Sequence, residues 1–109
     1  MEGKEWEIGD CAILYLNMPS IEPIFDFVFT DHALIEMTRR EISQEQVRNV
    51  LSNPEQTELV RDGRAIYQAK YAIGEPPKTY ILRVFIDIDR KPPHIVTVYR
   101  TSKIEKYWT

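Results

Sequence analysis

The stretch QTELVRDGRAIYQAKYA, residues 56–72, decides the fold class of this chain. Asp62-Gly63 stands between two strand-like runs, and this dipeptide is a strong signal for a two-residue β-hairpin. Upstream of this stretch the apolar residues recur with a helical period, whereas downstream they alternate as in strands. The chain therefore changes from helices to a β-meander near residue 56.

One strand and one helix are predicted at the beginning of the domain. The segment IFDFVF, residues 24–29, is aromatic and β-branched, so it predicts a buried strand. Asp31 is suited to cap the following helix, with Thr30 as the competing residue. This first helix is expected to run to about Arg40.

A second helix follows directly. Ser43 and Gln46 have the spacing of a capping box, which marks the beginning of a helix, and Asn53-Pro54 marks its end. The later segments are predicted as two further strands and a short terminal turn or helix, in the order TYILRVFIDID (79–89), HIVTVYRT (94–101) and SKIEKYWT (102–109). The order β-α-α-β-β-β-β indicates an α+β domain, with two adjacent helices packed on one face of a mostly antiparallel sheet.

The alternation of side chains assigns each residue of the last two strands to a face of the sheet. The aliphatic positions expected to face the helices are Leu82, Val84, Ile86, Val96 and Val98. Arg83, Thr97 and Tyr99 then lie together on the opposite face. A guanidinium, a hydroxyl and a phenol in that arrangement either hold a phosphodiester or form an ordinary cross-strand cluster.

The first helix carries a histidine and two arginines beside its apolar stripe. At about 100° per residue, one arc contains Ala33, Leu34 and Met37, and a neighbouring arc contains His32, Glu36, Arg39 and Arg40. His32 lies in the first turn, where the helix dipole disfavours imidazolium, so it is a candidate general base. Histidine near a helix start and arginines near a helix end are also ordinary structural features. His94, after two prolines, is interpreted as a surface residue.

Length and composition indicate one domain of a soluble globular class. The chain has 109 residues, and its net charge of −3 is unevenly distributed: residues 1–36 sum to −7 and residues 37–109 to +4. We therefore expect an acidic N-terminal extension at residues 1–23, whose first seventeen residues form an extra strand, a hairpin or a loose arm, and a domain at residues 24–109. A local basic surface for binding phosphate is compatible with the acidic total.

The sequence contains none of the usual signals for membranes, metals or cofactors. No run approaches the roughly 20 apolar residues of a membrane span, and we expect no signal peptide, because no basic n-region or small-residue cleavage site surrounds CAILYLNM. The lone Cys11 indicates a reducing, cytoplasmic location. No metal-ligand spacing, phosphate loop or dinucleotide fingerprint occurs, so no metal or cofactor is predicted.

Several segments together resemble a family of uncharacterised bacterial domains, domain of unknown function 4258. The resembling segments are HALIEMTRREIS (32–43), VRNVLSNPE (47–55), AIYQAKY (65–71), YILRVFID (80–87) and IVTVYRTSKIEKYW (95–108). The resemblance implies the fold of RelE-like and barnase-like ribonuclease toxins. It also implies metal-independent cleavage of RNA, free or ribosome-bound, and a protein antitoxin as partner.

The resemblance assigns expected roles to individual residues. His32 and Arg40 match the family's histidine and helix-end arginine, and Thr97 and Tyr99 lie in its VTVYRT segment. The chain departs from the family at Glu41, where glycine is usual, and at Glu36, where a second arginine is frequent. Both departures lower the positive electrostatic potential near the expected site.

Two hypotheses follow from the sequence. In the first, a ribonuclease toxin cleaves RNA by attack of the 2′-hydroxyl on the adjacent phosphorus, which needs an acid, a base and cations. The catalytic residues would be His32, Tyr99 and Thr97, and the phosphate-binding residues Arg40, Arg83 and Arg100. In the second, the same fold is a non-catalytic module that binds a protein partner. The modest net charge and the two glutamates favour the second hypothesis.

Overall fold

The computed structural model describes residues 22–108, so the predictions for the first seventeen residues lie outside the described part of the chain. Along the chain the elements are β1 (Val28–Phe29), α1 (Asp31–Arg40), α2 (Gln44–Ser52), β2 (Gln56–Arg61), β3 (Arg64–Ile73), β4 (Lys78–Asp87), β5 (His94–Thr101) and α3 (Ile104–Tyr107). The α+β class is confirmed. Within residues 22–108, no helix is long and apolar enough to cross a membrane.

The strands form one mixed sheet in the order β1-β5-β4-β3-β2. The pairs β2–β3, β3–β4 and β4–β5 are antiparallel, and β1 runs parallel to β5. The predicted hairpin is confirmed at Asp62-Gly63, where Gly63 has a φ of +81°. A Cβ atom at Gly63 would also meet the carboxylate of Asp89, an exposed side chain that can move aside, so the turn favours glycine for its backbone conformation.

The prediction of a strand over residues 24–29 is wrong for most of its length. Only Val28 and Phe29 pair, with the beginning of β5. Ile24 instead donates its backbone N–H to the carbonyl of Leu51 at 2.8 Å, and Phe25 is 74% exposed. Ile24, Phe27 and Phe29 pack against the core from an irregular segment. The apolar composition of residues 24–29 therefore indicates that the segment packs against the core, and it does not indicate pairing in the sheet.

The helix boundaries follow from capping. Thr30 caps α1, because its hydroxyl accepts a hydrogen bond from the N–H of Ala33 at 3.1 Å; Asp31 is the first helical residue. The capping box of Ser43 and Gln46 is confirmed at the beginning of α2. Helix α1 ends at Arg40, and its C-cap Glu41 has a left-handed φ of 57°. Glycine adopts this conformation with the least strain, which explains why a glycine suits this position.

Both helices pack on the face of the sheet predicted from the aliphatic pattern. The core contains Leu82, Val84, Ile86 and Val98, and both valines are fully buried. The expectation for Val96 is wrong, because a β-bulge separates the pairs Phe85–Thr97 and Ile86–Ile95. The bulge inserts one residue and shifts the alternation, so Ile95 is fully buried in the core while Val96 is half-buried outside it.

Candidate functional site on the open sheet face

The sheet face opposite α1 and α2 brings together the residues predicted to share it. Gln68, Arg83 and Tyr99 are register partners across β3, β4 and β5. The next row contains Phe85 and Thr97, also as direct partners. Arg83, Thr97 and Tyr99 therefore lie on one face, as side-chain alternation predicted. We call these five residues, together with Tyr107 of α3, the open-face cluster.

Arg83 is the centre of the open-face cluster, and it is only 6% exposed. Its Nε donates to Oε1 of Gln68 at 2.9 Å, and its Nη1 donates to the phenolic oxygen of Tyr99. The amide of Gln68 in turn donates to the backbone carbonyl of Tyr107 at 3.0 Å. This hydrogen bonding satisfies a buried guanidinium, which would otherwise be costly.

Aromatic rings surround this guanidinium. The Tyr107 ring centroid lies 4.4 Å from the Arg83 guanidinium carbon, which is cation–π contact. Tyr99 lies 5.9 Å from Phe85 and 6.3 Å from Tyr107 between ring centroids. All three rings are half-buried, so each keeps part of its surface accessible. The face is therefore aromatic and cationic, with accessible ring surface for stacking.

The C-terminal helix covers part of this face. The residue at the end of α3, Tyr107, packs over Arg83, and Lys70 of β3 lies 4.1 Å from the ring of Trp108. The tail thus covers the middle of the sheet face, while Phe85, Thr97 and Tyr99 stay half-buried beside it. Arg83 has internal partners and is not exposed for direct contact with a phosphate.

His94, which was predicted only as a surface residue after two prolines, also lies on this face. It is the register partner of Asp87, which lies on the same side of β4 as Arg83 and Phe85. The β-bulge is responsible: with uninterrupted alternation, His94 would lie on the helix side of the sheet, together with Val96 and Val98. The adjacent apolar residues Ile95 and Val96, which interrupt the alternation, are the signal that could have revealed it.

The tautomer of His94 follows from its hydrogen bond. Its Nδ1 lies 2.8 Å from the backbone carbonyl oxygen of Pro92, which can only accept, so Nδ1 carries the proton. In the neutral ring, Nε2 is then unprotonated and can accept a proton from a substrate. Beside it, Asp87 forms a two-pronged ion pair with Arg64, at 2.7 and 3.2 Å. The Arg64 guanidinium lowers the pKa of Asp87 below its usual value.

His32 and Arg40 lie on α1, which packs on the other face of the sheet. His32 is exposed in the first turn. Arg40 donates to the carbonyl oxygen of Val98 at 2.9 Å and lies 3.0 Å from Glu36, which also pairs with Arg39 at 2.6 Å. The buried Glu36 therefore pairs with both arginines and offsets one of their two positive charges. The structure does not bring His32 or Arg40 to the open-face cluster.

Arg100 belongs to a third location, on the helix side of the sheet. Its register partner is the core residue Leu82, and its guanidinium lies 5.9 Å from the ring of Tyr80. Its Nη1 lies 3.5 Å from the carbonyl oxygen of Glu41, a long contact. The six residues predicted to form a site thus occupy three separate locations: Arg83, Thr97 and Tyr99; His32 and Arg40; and Arg100.

Comparison with known proteins identifies the family. The chain matches the family described as Domain of unknown function (DUF4258) over residues 29–100, well over half its length. The chain belongs to the DUF4258 family. The DUF4258 match covers β2 to β4, both long helices, and all but one residue each of β1 and β5. It therefore contains His94 and all six residues predicted from sequence. No curated protein and no solved structure matches the chain.

Proposed function

We propose that the protein is a metal-independent endoribonuclease of the toxin type, which binds single-stranded RNA on the open sheet face. The observation that carries this proposal is the hydrogen bond from Arg83 to Tyr99 within an aromatic cluster. Unpaired bases stack on accessible aromatic rings, and this interaction does not depend on base sequence. A protein antitoxin that covers this face belongs to the same proposal.

In the proposed reaction, Tyr99 is the proton donor and Arg83 is a positioning residue. The phenolic oxygen of Tyr99 accepts from Arg83, so the hydroxyl proton of Tyr99 can be donated outward. Because Arg83 is enclosed by Gln68 and Tyr107, its role is to orient Tyr99 and not to touch the phosphate. Thr97 lies one row away and would hydrogen-bond the substrate backbone.

The general base is assigned to His94, because its Nε2 is unprotonated in the neutral ring and it lies on the same face as Thr97 and Tyr99. His94 Nε2 would take the proton of the 2′-hydroxyl, whose oxygen forms a bond to phosphorus. The bond from phosphorus to the 5′-oxygen breaks, and Tyr99 protonates that oxygen. The products are a 2′,3′-cyclic phosphate and a 5′-hydroxyl, and the protons balance without a metal.

A purified-protein assay tests this proposal. Single-stranded RNA is incubated with the full chain in the presence of a chelator, with and without ribosomes, and the termini of the products are identified. We expect cyclic phosphate ends, and a loss of rate of about 10²-fold or more for Tyr99→Phe and His94→Ala. His32→Ala is the matched control, since it removes an exposed histidine from the other side of the sheet.

Each result decides between the assignments. If His32→Ala keeps full activity and His94→Ala loses it, the result supports the site on the open face. If His94→Ala keeps full activity and His32→Ala loses it, the general base is His32 of α1. Absence of cleavage by the wild type under all conditions would refute catalysis.

A second function, binding of a protein partner without catalysis, is favoured by one observation. Leu59 and Val60 of β2 point to opposite sides of their strand, yet both are about half exposed. Within residues 22–108, β2 has a single neighbouring strand and forms one edge of the sheet. Apolar side chains on such an edge suit pairing with a strand of another protein. Leu59→Lys would abolish that binding and leave RNA cleavage unchanged.

A further inference from the structure

Strand β2 presents an apolar edge. Within residues 22–108, β2 pairs with β3 alone and is the last strand in the order β1-β5-β4-β3-β2. Leu59 is 53% exposed and Val60 is 47% exposed. The register between β2 and β3 is regular from Gln56 to Leu59, and the irregularity comes only after Leu59. Most of β2 therefore has the regular backbone that a further strand needs for pairing.

A groove runs beside this edge on the helix side of the sheet. It is lined by Leu59 of β2, by Pro23 and Ile24 near the beginning of the described chain, and by Ala65 and Ile88. Leu59 lies on the helix side because its register partner, Ala65, belongs to the core. Apolar side chains predominate in this lining, so a strand added to β2 can bury apolar residues here.

The described part of the chain begins at this groove. Glu22 is one of the lining residues, and its backbone carbonyl accepts a hydrogen bond from the hydroxyl of Tyr67 at 2.9 Å. Two residues later, the N–H of Ile24 donates to the carbonyl of Leu51 at 2.8 Å. These two hydrogen bonds fix the point at which residues 1–21 join the domain, and this point lies beside β2.

Residues 1–21 contain a run suited to this edge, AILYL at residues 12–16, which we call the apolar segment. Gly9-Asp10 precedes it and Pro19 follows it, so the interval has the length of a strand and is shorter than a typical helix. Successive side chains of a strand point to opposite faces, so this run presents apolar groups to both faces of a sheet. The exposed edge of β2 is likewise apolar on both sides.

The connection between the apolar segment and Glu22 is long enough for this pairing. Residues 17–21 span up to about 17 Å when extended. Neighbouring strands lie only about 4.8 Å apart, so the apolar segment reaches β2 in either direction. Pro19, which cannot donate to a strand ladder, falls in this connection and not in the segment. The other edge strand, β1, has only two residues and offers no comparable length.

We infer that the apolar segment, residues 12–16, adds to the sheet as a further strand that pairs with β2 and covers Leu59 and the groove beside it. A protein partner that pairs with β2 then competes with this segment for the same edge. The inference does not depend on RNA cleavage, because none of the residues assigned to the proposed reaction lines this groove.

A spin label on Cys11 tests the inference in the wild-type chain. Cys11 is the only cysteine in the sequence, and it adjoins the apolar segment. A nitroxide is attached to the full, isotope-enriched chain, and the broadening of its amide NMR signals is measured. We expect the strongest broadening in β2 and much weaker broadening in β1, which is four strand spacings, or about 19 Å, away. Unlabelled enriched chains mixed with labelled unenriched chains should show no broadening in β2.

Leu14→Asp and Ile8→Asp are matched variants. Both add the same charge to residues 1–21, but only Leu14 belongs to the apolar segment. We expect Leu14→Asp to abolish the broadening in β2 and to raise hydrogen exchange of the β2 amides about tenfold or more, because the edge loses its partner strand. Ile8→Asp should leave both unchanged. Exchange in β4 should be unaffected in either variant, which shows that the domain stays folded.

Three results would overturn the inference. The first is broadening centred on any surface other than the edge of β2, and the second is an equal effect of Leu14→Asp and Ile8→Asp on exchange in β2. The third is equally strong broadening of β2 in the mixed sample, which would assign the edge to a second copy of the chain. Should Leu14→Asp fail to fold, the label experiment on the wild type decides by itself.

Discussion

Arg40 of α1 donates from Nη1 to the backbone carbonyl oxygen of Val98 in β5, at 2.9 Å and across 58 residues of sequence. The bond joins the end of the helix to a core strand. Arg40 also lies 3.0 Å from the buried Glu36, so one guanidinium connects a carboxylate to the sheet. The arginine predicted to bind phosphate therefore has a structural role of its own.

Replacing Arg40 should lower stability more than replacing its neighbour. Arg40→Ala removes a charged hydrogen bond to a backbone carbonyl and should cost about 1–2 kcal/mol in the free energy of unfolding. Arg39→Ala is the matched control: it removes the same charge from a side chain that is 67% exposed and should cost no more than about 0.5 kcal/mol. Denaturant unfolding measures both, and equal losses would show that the bond to Val98 contributes nothing.

Glycine at position 41 should stabilise the protein. Glu41 has a φ of 57°, a left-handed conformation that strains any residue with a Cβ atom. We expect Glu41→Gly to raise the free energy of unfolding by about 1 kcal/mol. Glu41→Ala removes the same charge but keeps the Cβ atom, so it should give no comparable gain. A melting temperature equal in the two variants would contradict the strain argument.

The bulge in β5 predicts opposite results for two adjacent residues. Ile95 is fully buried in the core, so Ile95→Ala should leave a cavity and cost about 2–4 kcal/mol. Val96 is half-buried outside the core cluster, and Val96→Ala should cost less than about 1 kcal/mol. Unfolding in urea distinguishes them. If Val96→Ala proved the more damaging, the uninterrupted alternation assumed from sequence would be right.

The ion pair of Asp87 and Arg64 predicts a loss of stability in acid. The hydrogen bond from Arg64 lowers the pKa of Asp87 in the folded state, so this group contributes stability above its unfolded pKa of about 3.9. That contribution is lost as the pH falls through the lower, folded pKa. Between about pH 5 and pH 2.5, the wild type should lose more stability than Asp87→Asn. Parallel pH profiles for the two proteins would show that the pair is not coupled to folding.

Local sequence patterns predicted most of the fold because short-range physics decides those features. The capping box at Ser43 and the turn at Gly63 depend on residues within a few positions of each other. The shared face of Arg83, Thr97 and Tyr99 follows from the two-residue period of strands and a common register. The buried valines, Val84 and Val98, follow from the same period.

Other features were decided by contacts between distant parts of the chain. Ile24, Phe25 and Phe27 are apolar but do not join the sheet, because β1 meets β5 only at Val28 and Phe29. Arg83 is enclosed because the chain end places Tyr107 over it, which no local pattern specifies.

The sequence by itself determined the α+β class, the capping box of α2, the hairpin and the side of the sheet on which Arg83 and Tyr99 lie. Each of these results from backbone conformation and side-chain periodicity over a few residues. Only the tertiary structure decided that His94 joins Thr97 and Tyr99, while His32 and Arg40 lie on the other side of the sheet. His94 joins them because a single bulge in β5 reverses the side-chain alternation of the residues that precede it. His32 and Arg40 lie on the other side because the face on which a helix docks depends on long-range packing.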